Sequence, residues 1–325
     1  MPVIDVATDP QHLTLTVVAD FAHPVERVWA AYTDPRQLER FWGPPAWPAT
    51  FTAWDHTVGG RALYRMTGPR GETSCGAWEF LAIEPPRRFE VLDAFADEAG
   101  NPTEGMDAMR MEFRFEPTGE GTRMTTTTWF ASNESLEQVL AMGMVEGLTL
   151  AMGQIGAVLE GLRAYAQGKG VQTELLSDTH VRLTRLVEGP RELVWRAHHD
   201  PGLLRRWLLG PDGWRMSACE VATEVGGAYR YAWEPVGDTE GAAFGFEGEL
   251  LLSEEPRRAV TTERMSGTQG PQTLNDLELY EEDGATLVTT IVEYPDRATR
   301  DAILATGMAG GMEASYARLE ALLAE

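Results

Sequence analysis

The sequence predicts an α+β fold in two tandem copies, each a curved antiparallel sheet with two short helices and one long C-terminal helix. Three observations predict it: a repeat that runs through most of the 325 residues, the same order of strand-like and helix-like segments in both halves, and matching apolar stripes near the end of each half.

The repeat comes first. Pro24-Val25-Glu26-Arg27-Val28-Trp29 returns as Pro190-Arg191-Glu192-Leu193-Val194-Trp195. Asp34-Pro35 returns as Asp200-Pro201, with Leu38 and Phe41 matched by Leu204 and Trp207. Val58-Gly59-Gly60 matches Val225-Gly226-Gly227, Pro86-Arg87-Arg88 matches Pro256-Arg257-Arg258, and Leu140-Ala141-Met142-Gly143-Met144 matches Leu304-Ala305-Thr306-Gly307-Met308. The offsets are 166, 167, 170 and 164, drifting only where loops belong. A period this long means duplicated domains rather than a solenoid of small units. The expected boundaries are a first domain over 11–165, a linker of suitable composition over 166–177 and a second domain over 178–325.

Leu13 to Val18 and Val181 to Val187 alternate as opening strands. Pro24 and Pro190 then suit the first turn of a short helix, and Asp34-Pro35 and Asp200-Pro201 read as an N-cap followed by an N1 proline. The Gly-Gly pairs mark tight turns. Further alternating segments with hairpin spacing follow in each half, which predicts an antiparallel sheet. Ser135 and Gln138 have capping-box spacing at the start of the first long helix. Its stripe is Leu140, Met144, Leu148, Ala151, Ile155 and Leu159. The second stripe is Leu304, Met308, Met312, Ser315, Leu319 and Leu323, at a single offset of 164.

Bulk properties exclude several classes. At 43% hydrophobic and 24% charged, the composition is that of globular domains. A net charge of -23 repels phosphate backbones and anionic headgroups, so neither nucleic acid nor a membrane is an expected partner. The start, Met1-Pro2-Val3-Ile4-Asp5, lacks the pattern of a signal peptide, and no run approaches the roughly 18 apolar residues of a membrane span. A cytoplasmic location is expected. Cys75 and Cys219 stand at non-matching places, which suggests neither a disulfide framework nor a metal site.

Val-Trp in the first helix, Asp-Pro opening the second, the Gly-Gly turn, the Pro-Arg-Arg loop and the Gly-Met of the last helix resemble the activator-of-Hsp90-ATPase homologue-like family. That family belongs to the START-related (SRPBCC) superfamily of helix-grip folds, with polyketide cyclases and lipid carriers. The resemblance covers both repeats almost end to end. It implies tandem helix-grip domains, each with a hydrophobic cavity between sheet and long helix, and does not imply a shared catalytic residue.

Motifs for metal, nucleotide or hydrolase chemistry are missing, so no cofactor and no metal are expected. His12 and His180 sit at strand starts, His23 precedes a helix, and the adjacent His198 and His199 point about 100° apart. His56, just before the Gly-Gly turn, is the one histidine placed to move a proton at a cavity mouth. Aromatic and Met residues supply the expected pocket: Trp54, Tyr64, Met66, Trp78, Trp129, Met144 and Leu148 in the first domain, and Tyr231, Trp233, Met308 and Met312 in the second. Gly143 and Gly147, repeated as Gly307 and Gly311, cost about 1 kcal/mol each inside a helix. They imply either a close helix approach to the sheet or side chains withheld to leave a void.

The leading function is therefore binding of a small hydrophobic, lipid- or polyketide-like molecule. The alternative is a cyclase or dehydratase using the same cavity, with His56, Asp55, Tyr64 or Tyr231 moving protons. Against it stands the lack of a polar pair shared by both repeats at corresponding sites. The family resemblance adds an Hsp90-type co-chaperone role. The named activators, however, pair one such domain with a different N-terminal domain, and here that half is a second copy. Repeat one alone keeps Trp42, Trp47 and Trp54, so the two cavities need not be equivalent.

Overall fold

The computed structural model describes residues 2–210 and 213–324. Met1 and Glu325, which belong to the expected N-terminal reading and second domain, lie outside the described residues. The chain forms two compact units that part between Glu160 and Gly161.

The first unit opens with strands β1 (Val3–Asp9) and β2 (Thr14–Phe21), followed by helices α1 (Val25–Thr33) and α2 (Pro35–Leu38). A meander follows: β3 (Ala49–Trp54), β4 (Arg61–Thr67), β5 (Thr73–Glu84), β6 (Arg88–Ala96), β7 (Met109–Thr118) and β8 (Gly121–Trp129). Helices α3 (Asn133–Ala141), α4 (Met144–Gly153) and α5 (Gly156–Glu160) close it. All eight strands pair antiparallel in the order β1-β2-β8-β7-β6-β5-β4-β3.

The second unit holds α6 (Leu162–Ala166), β9 (Gln172–Leu175), β10 (His180–Val187), α7 (Arg191–His199) and α8 (Pro201–Trp207). Its meander is β11 (Trp214–Glu220), β12 (Ala228–Pro235), β13 (Phe244–Glu254), β14 (Arg258–Met265), β15 (Thr273–Glu282) and β16 (Ala285–Glu293). Helices α9 (Arg297–Leu304) and α10 (Met308–Leu323) complete it. The order β11-β12-β13-β14-β15-β16-β10-β9 is that of the first unit, traced from the other edge. Gln172–Leu175, inside the stretch of linker composition, pairs with β10 as an edge strand.

Sequence alternation becomes two-faced strands, as in β2, where Leu15, Val17, Ala19 and Phe21 are buried and their neighbours are not. The bulges recur at matching places. Register slips between Phe51 and Ala53 and between Met216 and Ala218, and again between Phe80 and Ala82 and between Leu250 and Leu252. Bulges bend a strand and increase its twist, so both sheets curl around their helices.

The repeated motifs receive structural roles. Asp34 accepts from Arg36 N, and Asp200 from Gly202 N and Leu203 N, as N-caps ahead of an N1 proline. Pro24 and Pro190 stand at the N-cap itself, one residue before the first turn. The second arginine of each Pro-Arg-Arg reaches an acid on the next strand. Arg88 Nη1 donates to Glu112 Oε2 at 2.9 Å, and the fully buried Arg258 grips Asp276 through Nε and Nη2 at 2.9 and 2.6 Å.

The single long C-terminal helix is corrected in both units. Gly143 and Gly307 adopt φ of +83° and +80°, and each breaks its helix there. In the first unit the segments on either side of the break differ in direction by 55°. The first segment is capped by Ser132, whose side chain accepts from Ser135 N, so the expected Ser135–Gln138 box begins three residues late. Among the described residues no single helix is long and apolar enough to cross a membrane.

Candidate functional site

In the first unit the bent helix and the curled sheet enclose a cavity of about 280 Å³. From α1 comes Tyr32, and the α2–β3 loop adds Phe41, Trp42, Pro44 and Trp47. The sheet contributes Tyr64 and Met66 from β4, Asp93 and Phe95 from β6, and Met109 and Met111 from β7. The helices contribute Val139, Met142, Met144, Leu148, Ala151 and Met152. Two long-range bonds hold the helical wall in place. Gln154 Nε2 donates to Gly43 O at 2.8 Å, and Arg27 Nε donates to Leu159 O at 3.1 Å.

The surface is largely apolar, with Ser74 of β5, Asp93 and the tyrosine hydroxyls as its polar groups. Tyr64 Oη donates to Asp93 Oδ1 at 3.2 Å, with both residues buried. Gly76, the register partner of Tyr64, makes this possible: a Cβ there would lie 2.2 Å from Tyr64 Cζ. Burial pushes the Asp93 carboxyl up to about 7. The hydrogen bond from Tyr64 opposes that rise, as does the nearby Trp78 indole N–H, which falls short of hydrogen-bonding geometry. The Tyr64 phenol is raised well above its ordinary value, first by burial and then by the charge of Asp93. Tyr32, 1% exposed, has a hydroxyl with no hydrogen-bond partner. A buried orphan hydroxyl is costly unless something in the cavity meets it.

Sequence reasoning placed Tyr64, Met66, Met144 and Leu148 on this wall, and they lie there. It missed Asp93 and Tyr32. Trp78 is fully buried beside the cavity, with its ring 4.8 Å from Trp42. Trp54 packs against Phe51 and Phe80 instead. Trp129 stands on the outer face of β8, out of step with the buried Met124, Thr126 and Thr128, where Arg110 lies 4.4 Å above its ring. His56 is not part of the wall either. It sits among Trp29, Trp54 and Phe80, away from the lining residues, and burial lowers its imidazole. Asp55 is exposed and accepts from Thr57 Oγ1.

The glycine pairs are also resolved. A Cβ at Gly143, Gly307 or Gly311 would meet nothing within 4 Å, and one at Gly147 only Pro44 at 3.6 Å. Close approach to the sheet is therefore not their reason.

The second unit has a smaller cavity of about 180 Å³, lined by His198, Tyr229, Tyr231, Glu263 and Asn275 among apolar neighbours. Trp233 is directed elsewhere, its indole N–H donating to Leu208 O at 2.8 Å. Met308 and Met312 pack near Val181, Leu183, Val292 and Tyr294. His198 Nδ1 donates to Val194 O at 2.8 Å, and burial lowers this imidazole to about 4.

The repeat offsets pair Asp93 with Glu263, Tyr64 with Tyr231, and Tyr32 with His198. Both repeats thus carry a tyrosine and an acid at corresponding sites, contrary to the expectation from sequence. In the second unit Phe246 stands opposite Tyr231, where the first has Gly76 opposite Tyr64. The acid is reached by the tyrosine two residues earlier on the same face, and Tyr229 Oη lies 3.3 Å from Glu263 Oε2. Among the described residues no group of three His, Cys, Asp or Glu side chains could hold a metal ion.

The family model described as Activator of Hsp90 ATPase homolog 1-like protein matches residues 22–160 and 188–324. No curated protein matches the chain. Among solved structures, protein Ms6760 from Mycobacterium smegmatis is 48% identical over 49% of this chain and 98% of its own, with a TM-score of 0.47. A protein from Arthrobacter aurescens is 44% identical over 51% and 96%, with a TM-score of 0.48. DynU16, a protein in the dynemicin biosynthetic locus, spans 96% of this chain and 99% of its own at 14% identity and a TM-score of 0.35. With one stretch of the family match in each repeat, the chain belongs to the Activator of Hsp90 ATPase homolog 1-like family and carries its domain twice.

Proposed function

We propose that the chain binds a small, largely apolar molecule in the cavity of the first unit. One observation carries this reading: a cavity of about 280 Å³ walled by aromatic and methionine side chains, with a buried Tyr64–Asp93 pair and an orphan Tyr32 hydroxyl. Methionine is adaptable in shape, and the few polar groups would orient the occupant. The test uses N-phenyl-1-naphthylamine, an apolar fluorophore. Saturable fluorescence enhancement is expected, and Leu148→Trp, which fills the wall, abolishes it while the far-ultraviolet dichroism stays unchanged. Enhancement that survives Leu148→Trp intact would place the ligand elsewhere.

A second reading, acid–base catalysis of the cyclase or dehydratase kind, is favoured by a carboxyl that titrates near neutrality inside the cavity. It moves the proton-transfer role from His56 to Asp93. The co-chaperone alternative draws on the family description alone.

A further inference from the structure

We propose that the first unit's cavity selects a small apolar amine, its ammonium group held by the Asp93 carboxylate against surrounding aromatic faces. The inference rests on the apolar-ligand reading above and specifies the ligand's polar end.

Asp93 is the one charged side chain among the described lining residues, and no Lys, Arg or His lines the cavity with it. Tyr64 faces it from β4, Trp78 from β5 and Met109 from β7, with Met111 of β7 and Tyr32 of α1 on the same cavity wall. None of these carries a charge at neutral pH. A buried carboxylate without a counter-ion is strongly unfavourable, and a cationic ligand would supply the missing partner. Trp42, Trp47, Tyr64 and Phe95 bring aromatic rings to the same space, where a desolvated cation gains from the negative ring faces. The Tyr32 hydroxyl, buried and without a partner, offers an acceptor for a second N–H. The chain's net charge of -23 draws cations toward it and works against fatty acids and other anions.

The competing occupant is a neutral carbonyl compound that accepts from protonated Asp93. The two differ in the sign of their pH dependence. An amine binds the carboxylate and tightens as pH rises through the titration of Asp93, whereas a carbonyl acceptor tightens as pH falls.

Titration calorimetry on the full chain would compare 1-naphthylmethylamine, 1-naphthylmethanol and 1-naphthoate at about pH 6 and pH 8, where the amine stays charged. The amine is expected to bind at least about tenfold more tightly than the alcohol at the higher pH, with a smaller margin at the lower one and no binding of the carboxylate. Asp93→Asn should remove the amine's margin over the alcohol. Asparagine is close in shape and removes an unpaired buried charge, so folding is retained, and the wild-type pH comparison is decisive without the variant. Equal affinity of alcohol and amine, an alcohol that tightens as pH falls, or an amine preference that survives Asp93→Asn would overturn the proposal. If none of the three binds, the apolar-ligand reading itself fails.

Discussion

Asp93 shows how one residue can tie stability to the proposed ligand cavity. Its carboxyl titrates near 7 in the folded chain and near its ordinary value of 3.8 when unfolded. Between those values the folded chain holds the extra proton, so this residue's contribution to stability falls as pH rises and levels off above 7. Asp93→Asn should match the wild type near pH 4 and exceed it at pH 8, by at most about 4 kcal/mol. Urea unfolding at the two pH values checks this, and an unchanged difference would mean that the carboxylate is well solvated. Neither Asp93 nor its glycine-enabled contact with Tyr64 stands out in the sequence. Asp93 shares the parity of Phe89, Val91 and Phe95 in Arg88–Ala96, so alternation turns it inward, but an acid among apolar neighbours matches no catalytic motif. A second signal was the offset of 170 set by Pro-Arg-Arg, at which Asp93 aligns with Glu263.

At the scale of elements, the broken C-terminal helix shapes the cavity. Gly143 provides a left-handed turn between α3 and α4, and Met142, Gly143 and Met144 all reach the cavity wall from it. A Cβ at Gly143 has open space around it, so the cost of Gly143→Ala comes from backbone conformation alone. We expect a loss of roughly 1–2 kcal/mol, read as a lower denaturation midpoint. Ligand affinity should weaken with it, because straightening α3 into α4 displaces the wall. Helical periodicity cannot reveal such a break, since one residue at positive φ redirects the axis while the apolar spacing stays intact. The strands were more legible. Alternation follows local side-chain geometry, and a two-faced sheet preserves it.

At the scale of the whole molecule, duplication preserved the scaffold and let the two cavities diverge. Tyr32 of the first corresponds to His198 of the second, and the two groups respond differently to acid. The His198 imidazole titrates at about 4 when folded, below its ordinary 6.5, so the unfolded chain holds the extra proton between those values. Its contribution to stability is therefore lost as pH falls through that window, opposite in sign to that of Asp93. His198→Gln should flatten the acid limb of the stability profile while leaving the slope due to Asp93 in place. Thermal melts from pH 4 to pH 8 check this, and an unchanged acid limb would show that His198 is solvated.

The duplicated α+β architecture, the element order and the caps at Asp34 and Asp200 were settled by sequence alone, because repetition, alternation and capping are local and periodic. Tertiary structure decided which aromatic residues face the cavity, where the last helix bends, and that Asp93 meets Tyr64 without a counter-ion. The physical reason is distance along the chain. Asp93 and Tyr64 are 29 residues apart, and only the pairing of β4, β5 and β6 brings them together, beneath a helix that begins about forty residues further on.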